Sequence, residues 1–287
     1  MKLAYVVVVH TGAPQVVRLV RRLASPQSAF VVHVDRRSNG SLRSEIESGT
    51  RGVAPVEFVD AHRCYWGGFG MVRAALKGLD ALVEGGEPFD YAVLLSGQDY
   101  PLRHSQGIER FLAEAGGRSF LNAFPLPRAT GWGARGGLDR IEDWHLVRRR
   151  ALHLRLPRPR RLPFGLAPFG GSAWWCLSHE VAAYVQGFAR DNPAVVSFFE
   201  HTLHPSELFF QTIVMNSPLA PTVVDDSLRL VKWAAEARSP VTLTTADTAD
   251  LLASPALFAR KFDARVDAAI LDVLDEHLER QVVAPSR

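Results

Sequence analysis

The first hundred residues alternate between two hydrophobic patterns. Residues 3–9 form an unbroken, β-branched apolar run, the mark of a strand buried on both faces. Gly12 and Pro14 break it, and Val16, Val17, Leu19, Val20 and Leu23 then recur at helical spacing within residues 15–24. Phe30-Val31-Val32-His33-Val34 predicts a second strand, closed by Asp35. That is a β-α-β unit, which builds a parallel sheet by right-handed crossover. Val56-Glu57-Phe58-Val59 predicts a short third strand. Residues 70–84 predict a helix with Val72, Ala75, Leu76, Leu79 and Leu82 on one face. Tyr91-Ala92-Val93-Leu94-Leu95 predicts a fourth buried strand, ending at Ser96-Gly97-Gln98-Asp99. In doubly wound sheets, ligands sit beyond the carboxyl ends of strands. His10, Asp35 and Asp99 all fall there.

The pattern changes after residue 122. Residues 123–170 are rich in Gly, Pro and Arg and show little periodicity. Order returns with Ser172-Ala173-Trp174-Trp175-Cys176-Leu177, which predicts a strand. Ser178 reads as an N-cap for a helix over 179–188. Residues 205–215 predict another helix, opened by Pro205. Residues 264–281 predict an amphipathic C-terminal helix with Val266, Ile270, Val273, Leu274 and Leu278 on one stripe. No repeat, coiled coil or flexible linker interrupts the 287 residues. The expectation is one α/β domain with a mostly parallel central sheet flanked by helices. Its nucleotide-binding half spans 1–105, its acceptor and catalytic half 106–263, and a C-terminal helix 264–287.

Composition narrows the classes. Hydrophobic residues are 47% and charged residues 22%, a globular balance. A net charge of +3 falls short of a nucleic-acid-binding surface and suits an anionic small ligand. Seven arginines between Arg148 and Arg161 read as a solvated loop, with contact to an anionic acceptor or lipid headgroups as the alternative. Cys64 and Cys176 each stand without a CxxC or a His at metal spacing, which argues against a disulfide framework or a zinc site. The opening apolar run fits a buried strand better than a signal peptide, and none is long enough to span a bilayer. The expected location is cytoplasmic, peripheral at the inner membrane face.

Several segments carry candidate chemistry. Asp35 ends a strand, where an acid can accept from the base or ribose of a nucleotide or simply start a turn. Trp66-Gly67-Gly68-Phe69-Gly70 is a glycine-rich approach to a helix, matching neither a P-loop nor a dinucleotide fingerprint. After the fourth strand stands one acid, Asp99, where metal-dependent transferases carry two; a single carboxylate is a poor Mg²⁺ or Mn²⁺ site. A leaving diphosphate would then need cations, and Arg260-Lys261 and Arg238 are at hand. Glu207 falls in the first turn of the predicted 205–215 helix, where the macrodipole would keep it ionised and ready to accept a proton. Six Trp residues, several beside Gly, suit a sugar cleft; for any one of them core packing is the plainer reading.

Taken together and in order, these pieces resemble the core-2/I-branching family, which also includes peptide O-xylosyltransferases. The matching segments are the first strand with His10, Val32-His33-Val34-Asp35, Trp66-Gly67-Gly68, Leu95 to Leu102, Gly171 to Trp175, Ser206 to Thr212, Leu228-Arg229 with Trp233, Ser239-Pro240, and Leu257 to Phe262. The resemblance implies a GT-A type, Rossmann-like fold, a UDP-sugar donor carrying N-acetylglucosamine or xylose, inversion at the anomeric carbon, and no metal requirement. It makes Glu207 the catalytic base. His10, Asp35, Gln98 and Asp99 would contact the donor, Asp35 at the uridine. Lys261, with Arg238 or Arg260, would neutralise the diphosphate. Trp66, Ser172, Trp174 and Trp175 would line the donor and acceptor cleft. The implied partners are the donor and a glycan, lipid-linked sugar or protein hydroxyl; no nucleic acid is expected. Ala173 stands where the family often has Gln, and the low cysteine count departs from the disulfide-rich animal relatives. Another nucleotide-binding enzyme on this scaffold and a non-catalytic carbohydrate-binding module remain as alternatives.

Overall fold

The computed structural model describes residues 1–149, 152–234 and 239–283. In the first half, β1 (Leu3–Val9), α1 (Ala13–Leu23), β2 (Ser28–Val34), α2 (Leu42–Thr50), β3 (Val56–Phe58), α3 (Gly70–Glu84) and β4 (Tyr91–Ser96) follow in alternation. Next come β5 (Asp99–Pro101), α4 (Ser105–Glu114), β6 (Ser119–Leu121), β7 (Phe124–Pro125), α5 (Leu138–Glu142), and the β8 (Trp144–Arg149) and β9 (Leu152–Leu156) hairpin. The rest comprises β10 (Phe169–Gly170), β11 (Trp175–Ser178), α6 (His179–Asp191), α7 (Pro193–Glu200), α8 (Phe209–Met215), β12 (Val223–Val224), β13 (Arg229–Val231), α9 (Thr248–Ala253), β14 (Phe258–Arg260) and α10 (Ala269–Val283).

Seven strands form the central sheet in the order β12-β6-β11-β4-β1-β2-β3. β1 lies between β2 and β4 and is parallel to both, while β11 runs antiparallel to β4 and β6. Being central, β1 is buried on both faces, as its apolar run predicts. Alternate residues face opposite ways and split the core in two. Leu3, Tyr5, Val7 and Val9 pack under α1, α2, α4 and α10; Ala4 and Val6 pack under α3, α6, α7 and α8.

Three local expectations change. The 264–281 helix begins only at Ala269, and Val266 is 63% exposed before it. Asp263 explains the delay: it accepts from the backbone N–H and the guanidinium of Arg265, closing a turn. Ser178 occupies the N-cap position of α6 without capping it, because its hydroxyl pairs with that of Ser119 at 3.1 Å. The Gly- and Arg-rich middle is more ordered than its aperiodicity suggests, since it contains the β8–β9 hairpin.

Two arginines of the basic stretch have buried partners here. Arg155 pairs with the buried Asp143 at 2.6 Å. Arg160 reaches the carbonyls of Ile141, Phe198 and His201, and lies 3.9 Å over the Phe198 ring. Burial pushes its guanidinium down to about 10, with Asp143 opposing. Arg155 therefore closes on the start of the hairpin and Arg160 ties the segment after it to α7, and neither presents a basic face for lipid. Arg158 and Arg161 are exposed, while Arg150 and the side chains of Arg148 and Arg149 lie outside the described residues. Among the described residues no helix is long and apolar enough to cross a membrane.

Candidate active site

The carboxyl ends of the parallel strands meet as expected. The Asp35 amide donates to the Val9 carbonyl at 2.7 Å, the Ser38 hydroxyl to the His10 carbonyl at 3.0 Å, and the Gly97 amide to the Val8 carbonyl at 3.1 Å. His10 is exposed beside them. Asp35 is buried, and its carboxylate accepts from the Arg37 amide (2.9 Å) and guanidinium (2.7 Å). Burial raises the proton affinity of Asp35, but the Arg37 hydrogen bonds and charge outweigh it and hold the carboxyl below its usual range. Arg37 in turn lies 4.8 Å over the Tyr65 ring. The Asp35 carboxylate thus already has a cationic partner.

Asp99 is not open to a donor. It is fully buried, and its Oδ2 accepts from the Ser96 amide at 2.7 Å and from the Ser96 hydroxyl. β5 pairs antiparallel with β14 and places Asp99 opposite Arg260, whose Nε stands 3.5 Å from Oδ1. The expected role at the sugar fails for that reason: the carboxylate is sealed under the β5–β14 pair. Arg260 is turned inward too. It stacks 4.2 Å over the Trp174 ring, and burial lowers its proton affinity against the opposing charge of Asp99. Arg229, from β13, donates to the Leu94 carbonyl at 2.7 Å and adds a second cation near Asp99.

Of the described cations considered for a diphosphate, Arg260 and Lys261, Lys261 is the one left towards solvent. It is only partly buried, with Nζ 3.5 Å from the Ser239 hydroxyl. The Phe262 amide donates to the Gln98 carbonyl at 2.8 Å, so the Gln98 and Lys261 segments lie side by side at the strand ends. Arg238 lies outside the described residues.

Glu207 comes to a different place than the helical reading gave. Pro205–Glu207 is a 3₁₀ turn, and α8 starts only at Phe209 after Leu208 departs from helical angles. Glu207 therefore closes a short turn, and no helix N-terminus stabilises its charge. Its partner is Arg140 of α5, whose Nη1 is 2.7 Å from Oε2. Burial raises the proton affinity of Glu207 above the usual carboxylate range, and the charge and hydrogen bond of Arg140 oppose it. The side chain is still 34% exposed, so solvent reaches it. Sequence reasoning missed Arg140, which sits in the aperiodic middle segment. Its guanidinium lies 4.0 Å over the Trp132 ring. Trp132 needs Gly137 beneath it, since a Cβ there would come within 2.6 Å of the ring.

Backbone contacts join the Glu207 turn to the segment ahead of β11. The Gly171 amide donates to the Glu207 carbonyl at 2.9 Å, and the Ser172 carbonyl accepts from Gln211 Nε2 at 2.5 Å. A Cβ on Gly171 would fall 1.7 Å from the Asn122 carbonyl oxygen, so only glycine fits this crossing. The Ser172 hydroxyl accepts from the Trp174 amide at 3.3 Å, which leads back to Arg260. On the other side the His204 amide donates to the Gly67 carbonyl at 2.9 Å, and Trp66 packs edge-on to His204 at 4.4 Å. Trp66 is 61% exposed and is available to a ligand face. Trp175 is not: it is fully buried against Phe210, in the core, so the packing reading applies to it. Trp174 is also buried and serves as the platform for Arg260.

Cys64 also corrects the sequence reading. His33 of β2 and His62 lie beside it, because the segment ahead of α3 crosses the end of β2 and brings together residues 31 apart in the chain.

Residues 3–252 match the Core-2/I-Branching enzyme family. The chain belongs to that family. Xylosyltransferase 2 of Mus musculus is 30% identical over 97% of this chain, and Xylosyltransferase 1 of Pan troglodytes is 30% identical over the same share. The chain spans about a third of the length of these relatives: 34% of the first and 31% of the second. Among solved structures, S. aureus TarS 1–349 is similar over 67% of this chain and 49% of its own, with a TM-score of 0.33 and 13% identity. The family match covers Asp35, Trp66, Asp99, Arg140 and Glu207, and ends before Arg260 and Lys261.

Proposed function

We propose that this chain transfers a sugar, xylose or N-acetylglucosamine, from a UDP-sugar to an acceptor hydroxyl with inversion at the anomeric carbon. The observation that carries the proposal is Glu207: a half-buried carboxylate of raised proton affinity, held by Arg140 and still open to solvent. A general base works best when its proton affinity lies near the working pH. Membership of the Core-2/I-Branching enzyme family and the names of the xylosyltransferase relatives support the reaction class.

In the proposed reaction the acceptor O–H bond breaks and its proton passes to Glu207 Oε1. Arg140 engages Oε2 and fixes the carboxylate. The acceptor oxygen bonds to the anomeric carbon from the face opposite UDP, and the bond to the diphosphate breaks. An α-linked donor gives a β-linked product. Lys261, near Ser239, offsets the charge gathering on the leaving diphosphate. Asp35 and Arg37 stand at the uridine end, and Trp66 covers the sugar or acceptor. No divalent ion is assigned to the diphosphate. The reason is the donor set: the one acid after β4, Asp99, is committed to Ser96 and Arg260.

The test is calorimetric titration with UDP, UDP-xylose, UDP-N-acetylglucosamine, UDP-glucose and GDP-mannose, followed by NMR of the anomeric product. UDP and one UDP-sugar should bind without added Mg²⁺ or Mn²⁺, and the product should be β-linked. Absence of uridine binding, or an α-linked product, contradicts the proposal.

A further inference from the structure

His33, His62 and Cys64 each offer one ligand atom, and the three atoms lie within 4.8 Å of one another. His33 is fully buried in β2, while His62 and Cys64 are partly exposed. The hydrogen bonds around the two rings decide where their protons sit. His62 Nε2 lies 2.8 Å from the Gly70 carbonyl, which can only accept. That nitrogen therefore carries the proton, and neutral His62 has a bare Nδ1. The His62 amide donates to His33 Nε2 at 3.2 Å, so this nitrogen is bare as well. Yet His33 Nε2 and His62 Nδ1 face each other across 3.0 Å. Two lone pairs at that distance repel. Moving the proton to His33 Nε2 relieves the clash, but it takes the acceptor from the His62 amide and leaves the buried His33 Nδ1 without a partner, as it already is. A cation between the two nitrogens takes up both lone pairs and removes their repulsion; it too takes the His33 Nε2 acceptor from the His62 amide, in exchange for two coordinate bonds.

The third group makes the site specific. A thiolate beside two imidazoles is a donor set for zinc-like ions rather than for magnesium or calcium. Tetrahedral zinc, with bonds of about 2.0–2.3 Å, holds such donors roughly 3.3–3.8 Å apart, a spacing that small side-chain rotations supply here. The Gly70 carbonyl fixes the His62 tautomer in the manner usual for metal-bound histidine.

We propose that His33 Nε2, His62 Nδ1 and Cys64 Sγ bind one zinc-type divalent ion. Binding releases the Cys64 proton to solvent and leaves a fourth position for water. The ion fastens the segment that carries Trp66 to the end of β2. It has no part in the transfer chemistry proposed above, and the site stands whether or not that reading holds.

Cobalt is the probe, because a thiolate bound to tetrahedral Co²⁺ gives a charge-transfer band and visible ligand-field bands. The purified full chain should take up one equivalent of Co²⁺ with both features, and one equivalent of Zn²⁺ should erase them. Cys64→Ser should lose the charge-transfer band. His62→Ala should weaken Zn²⁺ binding at least about 10-fold, the lower end of what even an indirect partner of a metal ligand contributes. Circular dichroism of each variant without metal reports whether it folds, and two variants keep the test open if one does not. Absence of the thiolate band in the native chain, a band retained in folded Cys64→Ser, or undiminished Zn²⁺ affinity in folded His62→Ala overturns the site.

Discussion

Among the acid–arginine pairs of this molecule, Asp99–Arg260 and Glu207–Arg140 differ in one respect. Asp99 and Arg260 are sealed beneath the β5–β14 strands, with Arg229 close by and no solvent on the carboxylate. Glu207 closes a 3₁₀ turn and pairs with Arg140 of α5, with the acid a third exposed. In the sequence both acids look alike, each one polar residue after an apolar or proline-marked segment. Burial separates them. A sealed carboxylate can only balance charge, whereas one that is raised in proton affinity and still wet can exchange a proton.

The largest expected effect falls on the sealed pair. Asp99→Asn removes the negative partner of buried arginines and should cost about 3–5 kcal/mol of unfolding free energy, measured by urea titration. A loss below 1 kcal/mol would mean that the two pairs do not differ as described. Next comes the backbone that holds the open pair. Gly171→Ala forces a Cβ against the Asn122 carbonyl and should cost about 1–3 kcal/mol, read in the same titration.

Arg140→Gln sharpens the comparison through pH. Arg140 opposes the burial that raises Glu207, so removing it raises the proton affinity further. Glu207 is an active base only above its pKa. The acid limb of the kcat/KM profile should therefore lie above the ordinary carboxylate range in the native enzyme and move further alkaline in the variant. An unmoved or acid-shifted limb would detach Arg140 from Glu207. The smallest effect is expected at the rim: Trp66→Ala should change stability by no more than about 0.5 kcal/mol, as an exposed residue should, while weakening donor or acceptor binding.

How much of this was legible in the sequence follows from what periodicity can carry. β1, α1, β2, α3 and β4 announce themselves because each buries a stripe or a run, and the parallel order follows from the β-α-β alternation. The strand-end position of Asp35 came with it. The 205–215 segment was legible only in part: Pro205 marks its start, but the break at Leu208 between the 3₁₀ turn and α8 carries no compositional signal. Arg140 was invisible because its partner lies 67 residues on, and its own segment has no repeat. Asp99 misled for the opposite reason. Its place after β4 is where ligands bind, and nothing local shows that β14, 159 residues later, will cover it. The His33–His62–Cys64 group was hidden likewise, since its members are spaced by topology rather than by a motif.

The most direct test of the central claim is Glu207→Gln, assayed for UDP-sugar binding, melting temperature and turnover together. The amide keeps the shape and can still accept from Arg140, but it cannot take a proton. The account predicts donor binding and melting close to native and turnover lower by at least about 100-fold, the scale of a lost general base. Turnover near the native rate, with binding and melting unchanged, would contradict it.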